Sequence, residues 1–457
     1  MLLLKRKSID ATQGALVPLI LAYALPLILS TIIQSLFNAV DLAVLGQMAS
    51  TSAVASVGAT SSTTALIVSS FVGLSSGSKI IMARQIGMKD EKALQKTIHT
   101  SLLSAVGIGL IVAVAGFFLS PLFMRITSCP AECFDGAVTY LRIYFAAAPA
   151  ILLYNYGSAV LNAAGDTQRP LYYIIYGGVL NAVLNVVLCL LLAQKVAAVA
   201  ISTAASQVLG AVLVMRRLRK MDGPCRVRHL RHMRFHVKPF LRILQCGLPM
   251  CFQNALYPLA NLQIQSAVNS FGVAATAGYS AGSTIEAIPS AFNGAFASTT
   301  TVFMSQNIGA KKNQRVRQSL WRCLIISFTI TTAAGVLTYL LRNVFFGILL
   351  GDDLLAVEFG GIRSRYLLLS YGIAAISGVC GHAIQAYGNT AYSAAMSLFG
   401  IFVFRTIWMN TVFRAFPTFD VLMLCFPVSW SIITVANIFG CIYYTRRFKR
   451  GKFIKLT

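Results

Sequence analysis

Apolar stretches of about 20 residues, the length that crosses a bilayer as a helix, recur along the chain between short polar or Gly/Pro-marked turns. The pattern predicts twelve membrane-spanning helices, near 16–46, 53–80, 98–120, 138–163, 170–193, 196–215, 242–268, 275–303, 320–341, 366–386, 392–413 and 420–445. An even number of spans leaves both chain ends on one side of the membrane. The loop after the first span, QMASTS, carries no charge, while ARQIGMKDEKALQK after the second carries Arg84, Lys89, Lys92 and Lys96. Residues 216–242 hold ten Lys/Arg against the single acid Asp222, and the tail RRFKRGKFIK is also basic. Cytoplasmic loops collect Lys and Arg, so both termini are expected in the cytoplasm and the protein in the cell membrane. The start, MLLLKRKSID, is too short and broken for a cleavable signal peptide, so the run from Leu16 is expected to stay as the first span.

The two halves echo each other. Pro26 and Pro249 open ALPLILS and GLPMCFQ, 223 residues apart. Asn38 and Asn261, Arg142 and Arg365, and Gly165 and Gly388 share that offset, and Gly87 and Gly309 differ from it by one. A direct repeat with six spans per copy makes the halves parallel, related by a pseudo-two-fold along the membrane normal, with substrate handled between them. The expected fold is an all-α integral membrane protein, twelve transmembrane helices in two six-helix parallel-repeat lobes around a central cavity. Its parts would be an N-terminal lobe over 1–215, a basic cytoplasmic linker over 216–241 and a C-terminal lobe over 242–457.

Composition supports this class. Of 457 residues, 57% are hydrophobic and 11% charged, against about 25% charged in soluble domains. The net charge of +25 sits in short segments between apolar runs, so it reads as loop bias and no nucleic-acid partner is expected. Most of the ten cysteines fall in spans as small apolar fillers; Cys129 and Cys133 share an outside loop, where a disulfide or two thiols are both open. No enzyme chemistry is expected. There is no HExxH, the Ser-containing glycine segments are read as lacking a Gly-x-Ser-x-Gly pattern, and GLSSGSKI lacks the spacing of a phosphate loop. His229, His232 and His236 hint at metal, but the surrounding Lys and Arg favour a basic loop.

The chemistry is expected inside the spans, where a charge at a helix centre costs about 2.5–3.5 kcal/mol on insertion scales. Gln34, Asn38 and Asp41 follow helical spacing on one face of the first span. Asn181 and Asn185 make a second stripe in the fifth, and Ser202, Thr203 and Gln207 follow in the sixth. A carboxylate among amides and hydroxyls suits a proton-accepting site or an oxygen nest for a small cation. Ile264 stands where the second half would match Asp41; its seventh span instead carries Gln253, Tyr257, Asn261 and Gln265. Glu286 and Arg405, opposite charges at similar depth, are expected to pair, as a structural ion pair or a substrate or switching element. His382 reads first as a packing residue and second as a proton-handling group.

ALPLILSTIIQSLFNAVDLAVLGQ, ARQIGMKDEKALQK, LNAAGDTQRP, LNAVLN, AISTAASQ and FMSQNIGAKKNQRVRQ, in this order, carry a resemblance over about residues 15–445. The chain resembles the multidrug and toxic compound extrusion (MATE) family of secondary transporters, within the larger group that includes lipid-linked-precursor flippases. The resemblance implies an H⁺- or Na⁺-coupled antiporter exporting organic cations or amphipathic drugs, with no cofactor beyond the coupling ion, often a monomer in the bilayer. It maps the coupling site onto Asp41, Asn181 and Thr203, with Asn185 where some members carry a second aspartate. Some members carry acidic cation-site residues in the seventh and tenth spans; this chain has only Gln253, Asn261 and His382 there, so no such site is expected in its second half. Gln34, Asn38, Tyr257, Asn261, Glu286 and Arg405 are the expected substrate-cavity residues. Tyr23, Phe37, Tyr154, Tyr156 and Phe292 are further aromatic candidates. The alternative is a flippase for a lipid-linked precursor, for which Arg405 and Lys79 are a thin supply of cations.

Overall fold

The computed structural model describes residues 8–48, 51–127, 129–227 and 233–451. It is built from α-helices, with no strand among the described residues. They run α1 Leu16–Met48, α2 Thr51–Met88, α3 Glu91–Ile126, α4 Ala131–Ala146, α5 Ala148–Ala163, α6 Gln168–Leu191 and α7 Lys195–Lys220. After the basic segment follow α8 Val237–Asn269, α9 Val273–Gly309, α10 Asn313–Leu340, α11 Arg342–Leu350, α12 Leu354–Leu368 and α13 Tyr371–Ala386. Last come α14 Thr390–Ser397, a π-helical stretch Leu398–Val403, α15 Phe404–Asn410, α16 Val412–Ala415 and α17 Phe419–Lys449.

Each expected span has its helix or helix pair. Two are broken: α4 and α5 meet at a 48° bend and α12 and α13 at 43°. α5 begins with Ala148 and Pro149, and a proline in the first turn of a helix forfeits no intrahelical hydrogen bond. The tenth span starts twelve residues earlier than the apolar run indicates, at Leu354, because α12 carries Glu358, Arg363 and Arg365.

The repeat is written into the backbone. Lys89 and Lys311, at the matching turns after α2 and α9, both adopt left-handed φ, at 57° and 56°. Gly165 and Gly388 do so at 84° and 105°. The next residue in each copy is tied to the helix that follows: Asp166 Oδ1 accepts from the Arg169 N–H at 3.3 Å, and Asn389 Oδ1 from the Tyr392 N–H at 3.0 Å.

The chain forms two compact units. One comprises residues up to Asp10 together with Leu29–Cys251; the other comprises Ala11–Ile28 with Phe252 onward. The first unit therefore takes the start of α8, and the second takes the start of α1. In the first unit, Gly73 and Gly77, four apart on α2, meet the backbone of α8 at Met250–Cys251 and at Gly247. A Cβ on Gly73 would lie 2.5 Å from the Met250 carbonyl oxygen. Small residues at this spacing let two membrane helices approach closely, which replaces the hydrophobic drive absent in lipid. In the second unit the segment before α1 is pinned by polar contacts. Gln306 Oε1 accepts from the Ala11 N–H at 3.0 Å, and Asn307 and Arg315 donate to the Ala11 carbonyl at 3.0 and 2.9 Å. Tyr23, fully buried, meets Phe303 edge-on at 5.6 Å, and Gly278 and Gly335 approach the carbonyls of Ala356 and Leu368.

Gly73→Leu should therefore destabilise the first unit by at least the about 1–3 kcal/mol typical of overpacking. In detergent its thermal midpoint is expected to fall by several degrees. Gly107→Ala, with no atom within 4 Å of the new methyl, should leave the midpoint unchanged. Equal midpoints for wild type and Gly73→Leu would contradict the α2–α8 contact.

Candidate functional site

Within the first unit, α1, α6 and α7 bring the expected polar residues together. Asn185 Nδ2 donates to Asp41 Oδ1 at 2.6 Å. In one orientation the Asn181 amide accepts from Asn185 Nδ2 at 3.3 Å and donates to Thr203 Oγ1 at 3.4 Å; in the other its nitrogen donates to Asp41 Oδ1 and its oxygen accepts from the Thr203 N–H at 3.3 Å. Asp41 is half-buried, whereas Asn181 and Asn185 are 5% and 0% exposed. No Lys or Arg pairs with Asp41 among the described residues. Local sequence explains the approach. Gly177 and Gly178, a turn before Asn181, face Ser206 of α7 and the Phe37 ring of α1, so α6 sits close to both. Tyr140 of α4, which the sequence reading missed, places its phenol beside Thr203 and near Asp41, and its ring stacks on Tyr144 at 6.2 Å. Asn185 Oδ1 is buried without a hydrogen-bond partner.

Gln34 and Asn38 share α1 with Asp41 but are exposed and take no part in this hydrogen-bonded group. Among the aromatic candidates, Tyr23 and Tyr156 are fully buried and serve packing.

The second unit corrects one expectation. Glu286 of α9 pairs not with Arg405 but with Arg363 of α12. Tyr371 of α13 donates its O–H to Glu286 Oε1 at 2.9 Å, and the Arg363 guanidinium lies 3.9 Å from the Tyr279 ring centre. Arg405, 2% exposed, instead donates to Ser429 Oγ at 3.3 Å and Asn261 Oδ1 at 3.4 Å. The Phe426 ring faces both guanidinium groups, 4.3 Å from that of Arg405 and 5.7 Å from that of Arg363. α12 packs on α9 and presents Arg363 to Glu286, whereas Arg405, just after the π-helical stretch, hydrogen-bonds neutral acceptors. π-helical turns recur at functional sites.

Tyr257 is 45% exposed, near Arg405. The Gln253 stripe of α8 is satisfied: Gln253 donates to Ser397 Oγ at 3.0 Å and accepts from Gln385 at 3.2 Å. His382 Nδ1 is hydrogen-bonded with the Gly378 carbonyl at 2.9 Å. Cys129 and Cys133 are both free thiols.

His229 and His232 lie outside the described residues, within which no trio of metal-binding side chains occurs. The reading of the glycine segments also needs correction: GLSSG, residues 73–77, does have Gly-x-Ser-x-Gly spacing. A nucleophile elbow requires a strained strand-to-helix turn. Ser75 instead lies inside α2 with its hydroxyl bonded to the Val72 carbonyl at 3.0 Å, and the two glycines serve packing against α8.

Membrane-length helices in two repeated sets, with polar groups gathered inside them, define a polytopic membrane transporter architecture. The family model described as MatE matches residues 26–187 and again 249–409, and the chain belongs to that family. The two matches start 223 residues apart, the offset of the internal repeat. The chain is 25% identical to the probable multidrug resistance protein YpnP of Bacillus subtilis, over 87% of this chain and 89% of that one. It is 24% identical to the probable multidrug resistance protein YoeA of the same organism, over 83% of each. A crystal structure of MATE in complex with MaL6 superposes with a TM-score of 0.88 at 19% identity, covering 98% of this chain and 99% of that one.

The ion pair yields a stability prediction. Arg363→Met or Glu286→Gln alone leaves a buried group without its partner and should cost about 3–5 kcal/mol. The double variant Glu286→Leu/Arg363→Met should recover most of that loss. Denaturant unfolding in detergent reads the coupling; additive losses would mean that the pair does not act as a unit.

Proposed function

We propose that the protein exports organic cations or amphipathic drugs across the cell membrane in exchange for protons, by alternating access, with Asp41 as the coupling group. One observation carries this reading: Asp41 lies inside an apolar helix, held by Asn185 and Asn181, with no cation beside it among the described residues. A carboxylate held only by neutral donors changes its net charge when a proton arrives, without breaking an ion pair. The Asn185 amide turns its nitrogen to Asp41, and one orientation of Asn181 does the same, which suits a proton; sodium would require amide oxygens turned inward. The unpartnered Asn185 Oδ1 is the feature that favours sodium as the second reading.

The proposed cycle starts with proton uptake from outside. Neutral Asp41 loosens its hold on the Asn185 and Asn181 amides, and α1 reorganises near Pro26, where proline removes a helical hydrogen bond. Substrate leaves because it and the proton compete for the first-lobe cavity; reciprocity of the two bindings makes this exchange. Gln34 and Asn38 are the proposed substrate-facing polar groups of that lobe, and the protein works as a monomer with both termini in the cytoplasm. The multidrug-resistance names of YpnP and YoeA support the substrate class. A lipid-linked-precursor flippase is less favoured: Arg363 is engaged by Glu286, and Arg405 by Ser429, Asn261 and Phe426.

The test is ethidium transport in proteoliposomes under imposed pH and Na⁺ gradients, comparing wild type with Asp41→Asn. Wild type should move the dye down a counter-gradient of protons, and Asp41→Asn should lose at least about tenfold of that flux, equivalent to about 1.4 kcal/mol. Flux driven only by Na⁺ would reassign the ion. Undiminished flux in Asp41→Asn would remove Asp41 from coupling, and no dye movement by either protein would return the flippase reading.

A further inference from the structure

A cavity of about 630 Å³ in the first unit lies where the end of α2, the start of α3 and the start of α8 come together. Four fixed cations line it: Lys92 and Lys96, four apart on α3, and Lys238 and Arg242, four apart on α8. That spacing puts each pair on one helix face. None of the four forms an ion pair among the described residues. The carboxylate of Asp90 also lines the cavity, but its Oδ1 already caps α3 by accepting from the Ala93 N–H at 3.0 Å. His236, with its backbone N–H bonded to Thr100 Oγ1 at 3.2 Å, adds a titratable ring. The wall contributed by α2 holds Gln85, 3% exposed, whose Oε1 has no hydrogen-bond partner. The cavity thus offers an excess of donors and positive charge, beside two helix N-termini that favour anions.

The rim points to the source of the anion. Phe235, Val237 and Leu241 are 48%, 61% and 57% exposed, interleaved with Lys238 and Arg242, and Phe235 packs on Phe240 at 5.1 Å. Apolar side chains exposed beside cations mark a segment lying at the membrane surface. A soluble anion would have no use for that apolar flank; a lipid uses both, its phosphate among the cations and its chains along the apolar residues.

We propose that this cavity binds the phosphate headgroup of an anionic phospholipid, in the leaflet that adjoins the basic loops. Lys92, Lys96, Lys238 and Arg242 hold the phosphate oxygens. The bound lipid ties the segment entering α8 to the α2–α3 turn. The inference stands apart from the transport reading, since it uses none of the residues assigned to coupling or substrate.

Native mass spectrometry of the full-length protein in detergent, titrated with phosphatidylglycerol, phosphatidic acid or phosphatidylcholine, tests it. Wild type should bind phosphatidylglycerol at least about tenfold more tightly than phosphatidylcholine. Lys92→Gln/Lys96→Gln and Lys238→Gln/Arg242→Gln should each weaken that binding about tenfold, while Lys92→Arg/Lys96→Arg keeps it. The unchanged lipid-free melting temperature of each variant separates lost binding from lost fold, and the arginine variant carries the test if a glutamine variant does not fold. Equal affinity for phosphatidylcholine, or wild-type phosphatidylglycerol binding by both neutralised variants, overturns the proposal. So does tight calorimetric binding of inorganic phosphate alone that the same variants lose, which would assign the cavity to a soluble anion.

Discussion

A polar group placed in hydrocarbon must be met by another polar group of the protein, because lipid offers none. That constraint organises this molecule more than hydrophobic burial does, since its outer surface is apolar by necessity. Asp41 satisfies it with two asparagine amides from α6. Glu286 satisfies it with a guanidinium and a phenol, and Arg405 with a hydroxyl, an amide and an aromatic face. Each solution draws on at least two helices, so each also fixes how those helices pack.

The close packing depends on the absence of side chains at chosen places. Gly73 and Gly77 admit the backbone of α8, Gly178 admits the ring of Phe37, and Gly177 admits Ser206 of α7. These approaches shorten the reach across which Asn181 and Asn185 must meet Asp41. Duplication adds a second layer of organisation. The start of α8 belongs to the first unit and the start of α1 to the second, and these segments, 234–251 and 11–28, correspond at the repeat offset of 223 seen in Pro26 and Pro249. Each repeat thus lends the opening of its first helix to the unit built from the other.

What could be read from the chain was what is local or repeated. Apolar run length located the spans, and the repeat that pairs Gly165 with Gly388 reappears as backbone turns with the same sign of φ. The stripe of Asn181 and Asn185 was legible because four-residue spacing fixes a shared face whatever the neighbours are. Its meeting with Asp41 was inferred from polarity and from the family resemblance. Partner choice across helices was not legible. Arg363 was hidden because α12 carries charges that mask its membership of the tenth span, and the more conspicuous Arg405 attracted the pairing instead. Tyr140 gave no signal, since a tyrosine in an apolar helix is ordinary packing until its neighbours are known. The lysines of the α2–α3 turn were visible as charge, but the cavity they share with α8 is a tertiary fact.

The asymmetry between the halves has an electrostatic consequence. Both copies descend from one pattern, yet the position of Asp41 is matched by Ile264, which is fully buried. In the second unit the acid, Glu286, is tied to Arg363, and loss of its charge would leave a guanidinium among apolar rings without a counter-ion. In the first unit Asp41 is held by neutral amides, so loss of its charge strands no cation. A device that must gain and lose one charge in every cycle is easier to build on the second arrangement of forces than on the first. The paired charges suit a fixed scaffold, and the unpaired carboxylate suits the moving part.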